Sequence, residues 1–370
     1  MIVLIILPSV GLVVIVSAIA VLLARRVIGD RKRSATPILW DTGDSITVRA
    51  TARTLAPGIF ALVLADGAKA IVGPILESTL QTVTRKVVCR VGVFRDEASA
   101  AAWTGEILDA SDLGKLDDVS ICTPHGTAQA WVIHPAVRGE PDTWAIHIHG
   151  LRSSREGALR SVPAASALGM TSLVISFTGH HAQAGRRPSA TLGIRESDDV
   201  LAAVEFAVTH GARRVVLFGW SMGATAALLA SECETRGALI AGLVLVGPAT
   251  TWPNILRHAV RRAGLPGIFG AMTMLALRAP ALRQLAGAPQ PIDMRSLDWS
   301  ISKRLGVPAL VLHSPGDGDI PLRFSERFVS AQAPDATLIV LPPAPHCAEY
   351  NVDPTAFNTA IIDWWNNLPK

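Results

Sequence analysis

The chain opens on an apolar run, residues 1–24, that carries no charge. As a helix this run would measure about 36 Å at 1.5 Å per residue, enough to cross a hydrocarbon core. The pattern therefore predicts a transmembrane helix, against two competing readings: a cleaved secretory signal ending near Ala18-Ile19-Ala20, and a buried core helix. The length of the run and the lack of positive charge ahead of it count against the signal. Further on, residues 45–50, 58–64 and 86–93 carry the β-branched and apolar enrichment of strands, and Ala65-Asp66-Gly67-Ala68 predicts a hairpin turn between apolar runs. Residues 38–115 read as a small β-rich unit. From Asp118 onward short apolar runs alternate with helical periods. Strands are expected at 119–122, 130–134, 144–149, 172–177, 214–218, 239–246, 309–313 and 337–341, and helices at 196–209, 224–234 and 354–365. About eight strands alternating with helices predict the α/β class, a mostly parallel sheet covered on both faces. The expected organisation is a span at 1–24, a basic juxtamembrane linker at 25–37, the β-rich unit, and a domain at 116–370 interrupted by an insertion at 252–305.

Charge sharpens this picture. The net charge of +4 is uneven. Arg25, Arg26, Arg31, Lys32 and Arg33 face only Asp30 in the linker, so the positive-inside tendency puts the body of the protein in the cytoplasm. Eight basic residues oppose Asp293 and Asp298 in residues 252–304. The remainder is net acidic and aromatics make up only 5%, which excludes a general nucleic-acid-binding surface. Cys89, Cys122, Cys233 and Cys347 form no Cys-x-x-Cys pair, so neither a zinc site nor a disulfide framework is indicated, and a reducing compartment fits.

The candidate chemistry centres on Gly219-Trp220-Ser221-Met222-Gly223. The apolar strand 215–218 leads into it and an alanine-rich helix follows, which places Ser221 on a sharp strand-to-helix turn. Such a turn strains the serine backbone, needs glycines for close approach, and aims the Met222 amide at the serine from the helix N-terminus.

With these residues, 118–370 is similar to the α/β-hydrolase family, in its esterase, lipase and peptidase-like branches. The resemblance implies a nucleophile, acid and histidine in that chain order. Ser221 is the implied nucleophile. The acid falls in Ser314-Pro315-Gly316-Asp317-Gly318-Asp319-Ile320-Pro321, similar to the family's His-Gly-x-x-Asp-x-x-Val-Pro pattern, with Asp317 in its place and Asp319 as the rival. His346, in Pro342-Pro343-Ala344-Pro345-His346-Cys347, matches the general base. His147-Ile148-His149-Gly150-Leu151 resembles the segment that gives a second oxyanion amide, here Leu151, beside that of Met222. His147 and His149 share a strand face but have no carboxylates to complete a metal site, so they are read as structural. His180 and His181 read equally as a loop bordering the site or an exposed loop.

The insertion at 252–305 stands where the family places a cap. Its apolar stretches interspersed with arginine suit either packed lid helices or the face of an anionic bilayer. The resulting expectation is a membrane-anchored hydrolase acting on a small-molecule or lipid-like acyl substrate, an ester before a thioester or amide, with no cofactor. An acyltransferase or peptidase with the same triad, and a catalytically silent binding module, are the alternatives.

Overall fold

The computed structural model describes residues 2–29, 35–92, 100–137, 139, 142–180, 189–233, 239–301 and 305–368, with side chains from Val14 onward. Asp30, Arg31, Lys32, Arg33 and His181 lie outside the described residues.

Helix α1 (Ile2–Ile28) is followed by six strands, β1 (Ala35–Asp41), β2 (Ser45–Arg49), β3 (Phe60–Val63), β4 (Lys69–Ser78), β5 (Thr82–Val91) and β6 (Ala100–Thr104). These pair antiparallel in the order β1-β2-β5-β4-β3-β6, and β6 returns to β1 to close a barrel. Closure leaves no open sheet edge. The interior is small and apolar, with Ile46, Val48, Phe60, Leu62, Val72 and Val83 buried. One charge lies among them. Arg85 is 1% exposed and donates to the carbonyls of Gly73, Thr54, Ala56 and Gly58 at 2.7–2.9 Å, so its hydrogen bonds tie the β2–β3 loop to the barrel. Burial lowers its pKa to about 10, which still leaves it charged.

The second sheet has eight strands: β7 (Lys115–Thr123), β8 (Gly126–His134), β9 (Thr143–Ile148), β10 (Thr171–Ile175), β11 (Arg214–Trp220), β12 (Ile240–Val246), β13 (Ala309–His313) and β14 (Ala336–Val340). Their order is β7-β8-β10-β9-β11-β12-β13-β14, with β8 antiparallel to both neighbours and the other pairings parallel. Helices α2 (Arg155–Ala158), α3 (Val162–Ala167), α4 (Ile194–Thr209), α5 (Met222–Ser231), α6 (Trp252–Arg262), α7 (Ile268–Arg278), α8 (Pro280–Ala286), α9 (Leu322–Gln332), α10 (Glu349–Val352) and α11 (Pro354–Asn366) complete the chain. The central strands read as continuous apolar runs because both faces are covered. Along β11, Val215 and Leu217 enter one core layer while Val216 and Phe218 enter the other. The strand order reverses at β9, and the C-terminal ends of β9 and β11 are the position at which open α/β sheets place their functional loops.

Helices α6, α7 and α8 form the insertion between β12 and β13. The fate of α1 corrects the expectation of a single-pass membrane protein with a cytoplasmic body: among the described residues no helix is long and apolar enough to cross a membrane. The C-terminal half of α1 instead packs against α7 and α8. Ala20, Val21, Ala24 and Ile28 are buried in the same core cluster as Ala276 and Leu277 of α7 and Ala286 of α8. Arg25 Nε donates to Leu285 O at 2.7 Å, and the Ala190 amide donates to Ile28 O at 2.9 Å. The apolar face that resembled a lipid-facing surface is satisfied by protein, so its hydrophobicity has the same physical origin but a different partner. Two cap arginines are held by protein groups at the surface: Arg262 donates to Gly318 O and Asp319, and Arg283 to the carbonyls of Ala288 and Pro289.

Candidate active site

Ser221 sits between β11 and α5 with φ 53° and ψ −113°, a left-handed backbone that a non-glycine residue adopts only where its surroundings impose it. Those surroundings are backbone contacts. The Ser221 amide donates to Val246 O at 3.0 Å, and its carbonyl accepts from Ala224 and Ala249 at 3.1 Å. A Cβ on Gly219 would lie 2.6 Å from Ala224 Cα, and one on Gly223 would lie 2.4 Å from Ile148 O. Only glycine fits at either place, so both glycines of the motif are required by packing.

The turn brings three distant segments together. Ser221 Oγ lies 2.9 Å from Nε2 of His346, and Nδ1 of His346 lies 2.6 Å from Oδ2 of Asp317. The Asp317 carboxylate is inaccessible to solvent and fully engaged: Oδ1 accepts from the amides of Asp319 and Ile320 at 2.9 and 2.8 Å, and Oδ2 also meets His313 Nε2 at 3.1 Å. This acceptor set fixes the tautomers. Nδ1–H of His346 donates to Asp317, which leaves Nε2 free to accept the Ser221 proton, and Nδ1 of His313 accepts from Ser325 at 2.7 Å.

Burial works to raise the pKa of Asp317, but the His346 charge and the hydrogen bonds from His313, His346 and Ile320 outweigh it and hold the carboxyl below its ordinary range. For His346 burial works downward, yet Cys347 and Asp317 raise its pKa well above 6.5. The Cys347 thiol is itself pushed up by burial and stays neutral, so the Asp317 carboxylate is the charge that acts. Asp319 stands apart from this chain. It pairs with Arg262 at 2.7 Å and Arg53 at 3.2 Å on the protein surface.

On the other side of Ser221, Gly150 follows β9. A Cβ there would lie 3.0 Å from Trp220 O and 3.1 Å from Ser221 Cβ, so the β9 loop passes directly against the serine. Leu151 comes next, and Arg152, with φ 59°, donates to the carbonyls of Arg26 and Val27 at the C-terminal end of α1. A guanidinium at a helix C-terminus satisfies orphan carbonyls and suits the dipole. The docked helix therefore holds the loop beside Ser221. Met222 opens α5, with its side chain buried.

His147 is fully buried between Ser161 and Ser172, at 2.8 and 3.0 Å, and burial lowers its pKa to about 3, so it is a neutral structural residue beneath the site. His149 contacts Gly150 O at 2.9 Å and packs against Phe177 and His180. Neither reaches the Ser221–His346 pair, and no group of three metal-binding side chains occurs among the described residues.

Sequence reasoning missed the residues behind the histidine. Arg160 is 6% exposed, lies over the Trp220 ring at 4.2 Å, and donates to Cys347 O and to Asn351 Oδ1. Glu349 is 1% exposed, and among the described residues neither carboxyl oxygen has a hydrogen-bond partner in another residue. Both belong to segments whose composition resembles any surface helix. Only the proximity of Glu349 to His346 in the chain hinted at a role.

Among solved structures, the chain is similar to an esterase of Pyrococcus furiosus, at 21% identity over 70% of this chain and 94% of that one, with a TM-score of 0.51. It is also similar to Est1E of Butyrivibrio proteoclasticus with ferulic acid bound, at 18% identity over 67% of this chain and 98% of that one, with a TM-score of 0.50. No curated protein matches. Residues 38–104 match a domain of unknown function. Residues 145–360 match the alpha/beta hydrolase family, and with that match spanning more than half its length the chain belongs to this family.

Proposed function

We propose that the protein is a serine hydrolase that cleaves a carboxylic ester through an acyl-enzyme on Ser221, with His346 as general base and Asp317 as the acid that orients it. The observation that carries this reading is the continuous Ser221–His346–Asp317 hydrogen-bonded chain on a strained serine. His346 Nε2 takes the Ser221 proton as Oγ bonds to the substrate carbonyl carbon, and the developing oxyanion is held by the amides of Met222 and Leu151. The tetrahedral species collapses, the C–O bond to the leaving group breaks, and His346 delivers the proton to the departing alkoxide. Water then repeats the sequence in reverse: it gives a proton to His346, bonds to the acyl carbon, and releases the acid and free Ser221.

Esters are the first substrate class because the apolar stretches of the cap suit acyl chains and no feature of the sequence demands a peptide. Thioesters and amides follow the same chemistry. We assign residues 116–370 to the catalytic domain, with 252–305 as its cap and 38–115 as a separate β-rich unit. A panel of p-nitrophenyl esters of increasing acyl length tests the reading. The expected result is turnover with an initial burst of p-nitrophenol equal to the enzyme present, and loss of both in Ser221→Ala. Turnover that survives Ser221→Ala would overturn it.

A further inference from the structure

The hydrolase sheet is complete without the barrel, yet described barrel contacts fall on the two loops that carry Asp317 and His346. Ala344 and Ala348, which bracket His346, are buried members of the barrel's own apolar core. Asn351, 1% exposed, joins the two units: its Nδ2 donates to Ile59 O at 2.8 Å and to Gly105 O at 3.1 Å, and its carbonyl accepts from the Ile59 amide at 2.9 Å. Its Oδ1 accepts from Arg160 at 2.7 Å, and Arg160 continues to Cys347 O and the Trp220 ring. Contact thus runs from the barrel to the residue beside His346 and the residue beside Ser221. At Gly58, φ 101°, a Cβ would lie 2.0 Å from Asn351 O, so the two backbones touch. A second grip reaches the acid loop, where Arg53 pairs with Asp319, whose amide donates to Asp317.

The segment between β14 and α10 that bears His346 has no regular structure of its own. Reaction geometry tolerates little displacement, since a misplacement of about 1 Å costs on the order of a hundredfold in rate. We propose that the barrel is a positioning element of the active site, holding the His346 and Asp317 loops in register with each other and with Ser221 by gripping Asn351 and Asp319. This rests on reading those three residues as the triad.

The test uses the full chain with Gly58→Val, Asn351→Asp and Arg53→Ala. Asn351→Asp keeps the acceptor for Arg160 but loses the donors to Ile59 and Gly105. Gly58→Val and Asn351→Asp are expected to lower kcat by about a hundredfold with KM within about threefold. They also weaken the low-field proton resonance of His346 Nδ1–H and shift the acid limb of kcat/KM to lower pH, as His346 loses part of its carboxylate partner. Arg53→Ala, an exposed pair, acts in the same direction by about two- to fivefold. Circular dichroism establishes which variants fold, and if Gly58→Val does not, the other two decide. Folded variants with the wild-type resonance, kcat and acid limb would overturn the proposal. A wild type that shows the resonance but does not react with a fluorophosphonate would defeat the triad reading instead, while the resonance still reports whether the barrel holds the two loops.

Discussion

Asp317 Oδ2 lies 2.6 Å from His346 Nδ1, while Asp319, two residues on, turns to Arg262 and Arg53. The two aspartates share a loop but face different partners. Asp317→Asn should therefore lower kcat by about 10⁴-fold through the wrong histidine tautomer. Asp319→Asn should leave kcat within about fivefold, since exposed pairs contribute little. Steady-state kinetics on the two variants checks this directly.

The pH dependence follows from His346. It must be neutral to accept the Ser221 proton, and its pKa is raised well above 6.5: burial pulls it down, but the Asp317 carboxylate beside it favours the protonated ring. Protonation therefore persists to higher pH, and kcat/KM should fall on acidification from the alkaline side of 6.5. The groups facing it are Asp317, Cys347 and Glu349. In Asp317→Asn the limb should move to lower pH, as read from a kcat/KM profile.

Glu349 gives a stability prediction of opposite sign to that of an ordinary paired carboxylate. Burial pushes its pKa from 4.5 up to about 7. Between those values the folded chain binds a proton that the unfolded chain has released, so stability falls as pH rises through that window and stays reduced above it. A tenfold change in proton affinity corresponds to about 1.4 kcal/mol, so Glu349→Gln should stabilise the protein by about 3 kcal/mol at pH 8 and by little at pH 4. Urea unfolding at the two pH values measures the difference.

Arg152 joins the loop after β9 to the end of α1. Arg152→Ala should lower kcat by about tenfold or more, with KM nearly unchanged, because the loop bearing Leu151 loses its tether. A matched rise in KM without loss of kcat would instead indicate a binding role.

Docking of α1 on the cap is tested by Ile28, which is 1% exposed. Ile28→Ala should cost about 3 kcal/mol of stability in aqueous buffer, the cost of a core cavity. An unchanged unfolding midpoint would mean that the helix does not pack there.

The sheet is legible in the sequence because parallel strands buried on both faces are mostly apolar, as in β9 and β13, where every position is buried. In the barrel β4 escapes notice, since Gly73 and Pro74 interrupt its pattern, and β6 is mostly alanine. Helix α1 misleads because burial against protein and burial in lipid select the same residues; what separates them is the partner, Leu277 and Ala286 here, and partners are not written in a local pattern. Chain order points to Ser221, Asp317 and His346 but leaves Asp319 open, since the direction of a carboxylate depends on the turn made by the Asp319 and Ile320 amides. Asn351 and Arg160 are invisible in the sequence because their significance lies in long-range contacts.

A nucleophilic Ser221 is the central claim, and the most direct measurement is labelling of the full chain by a fluorophosphonate, with the modified residue mapped by mass spectrometry. One phosphonyl group on Ser221 in the wild type and none in Ser221→Ala is the expected result. A folded wild type that remains unlabelled, or a label on another residue, would contradict it.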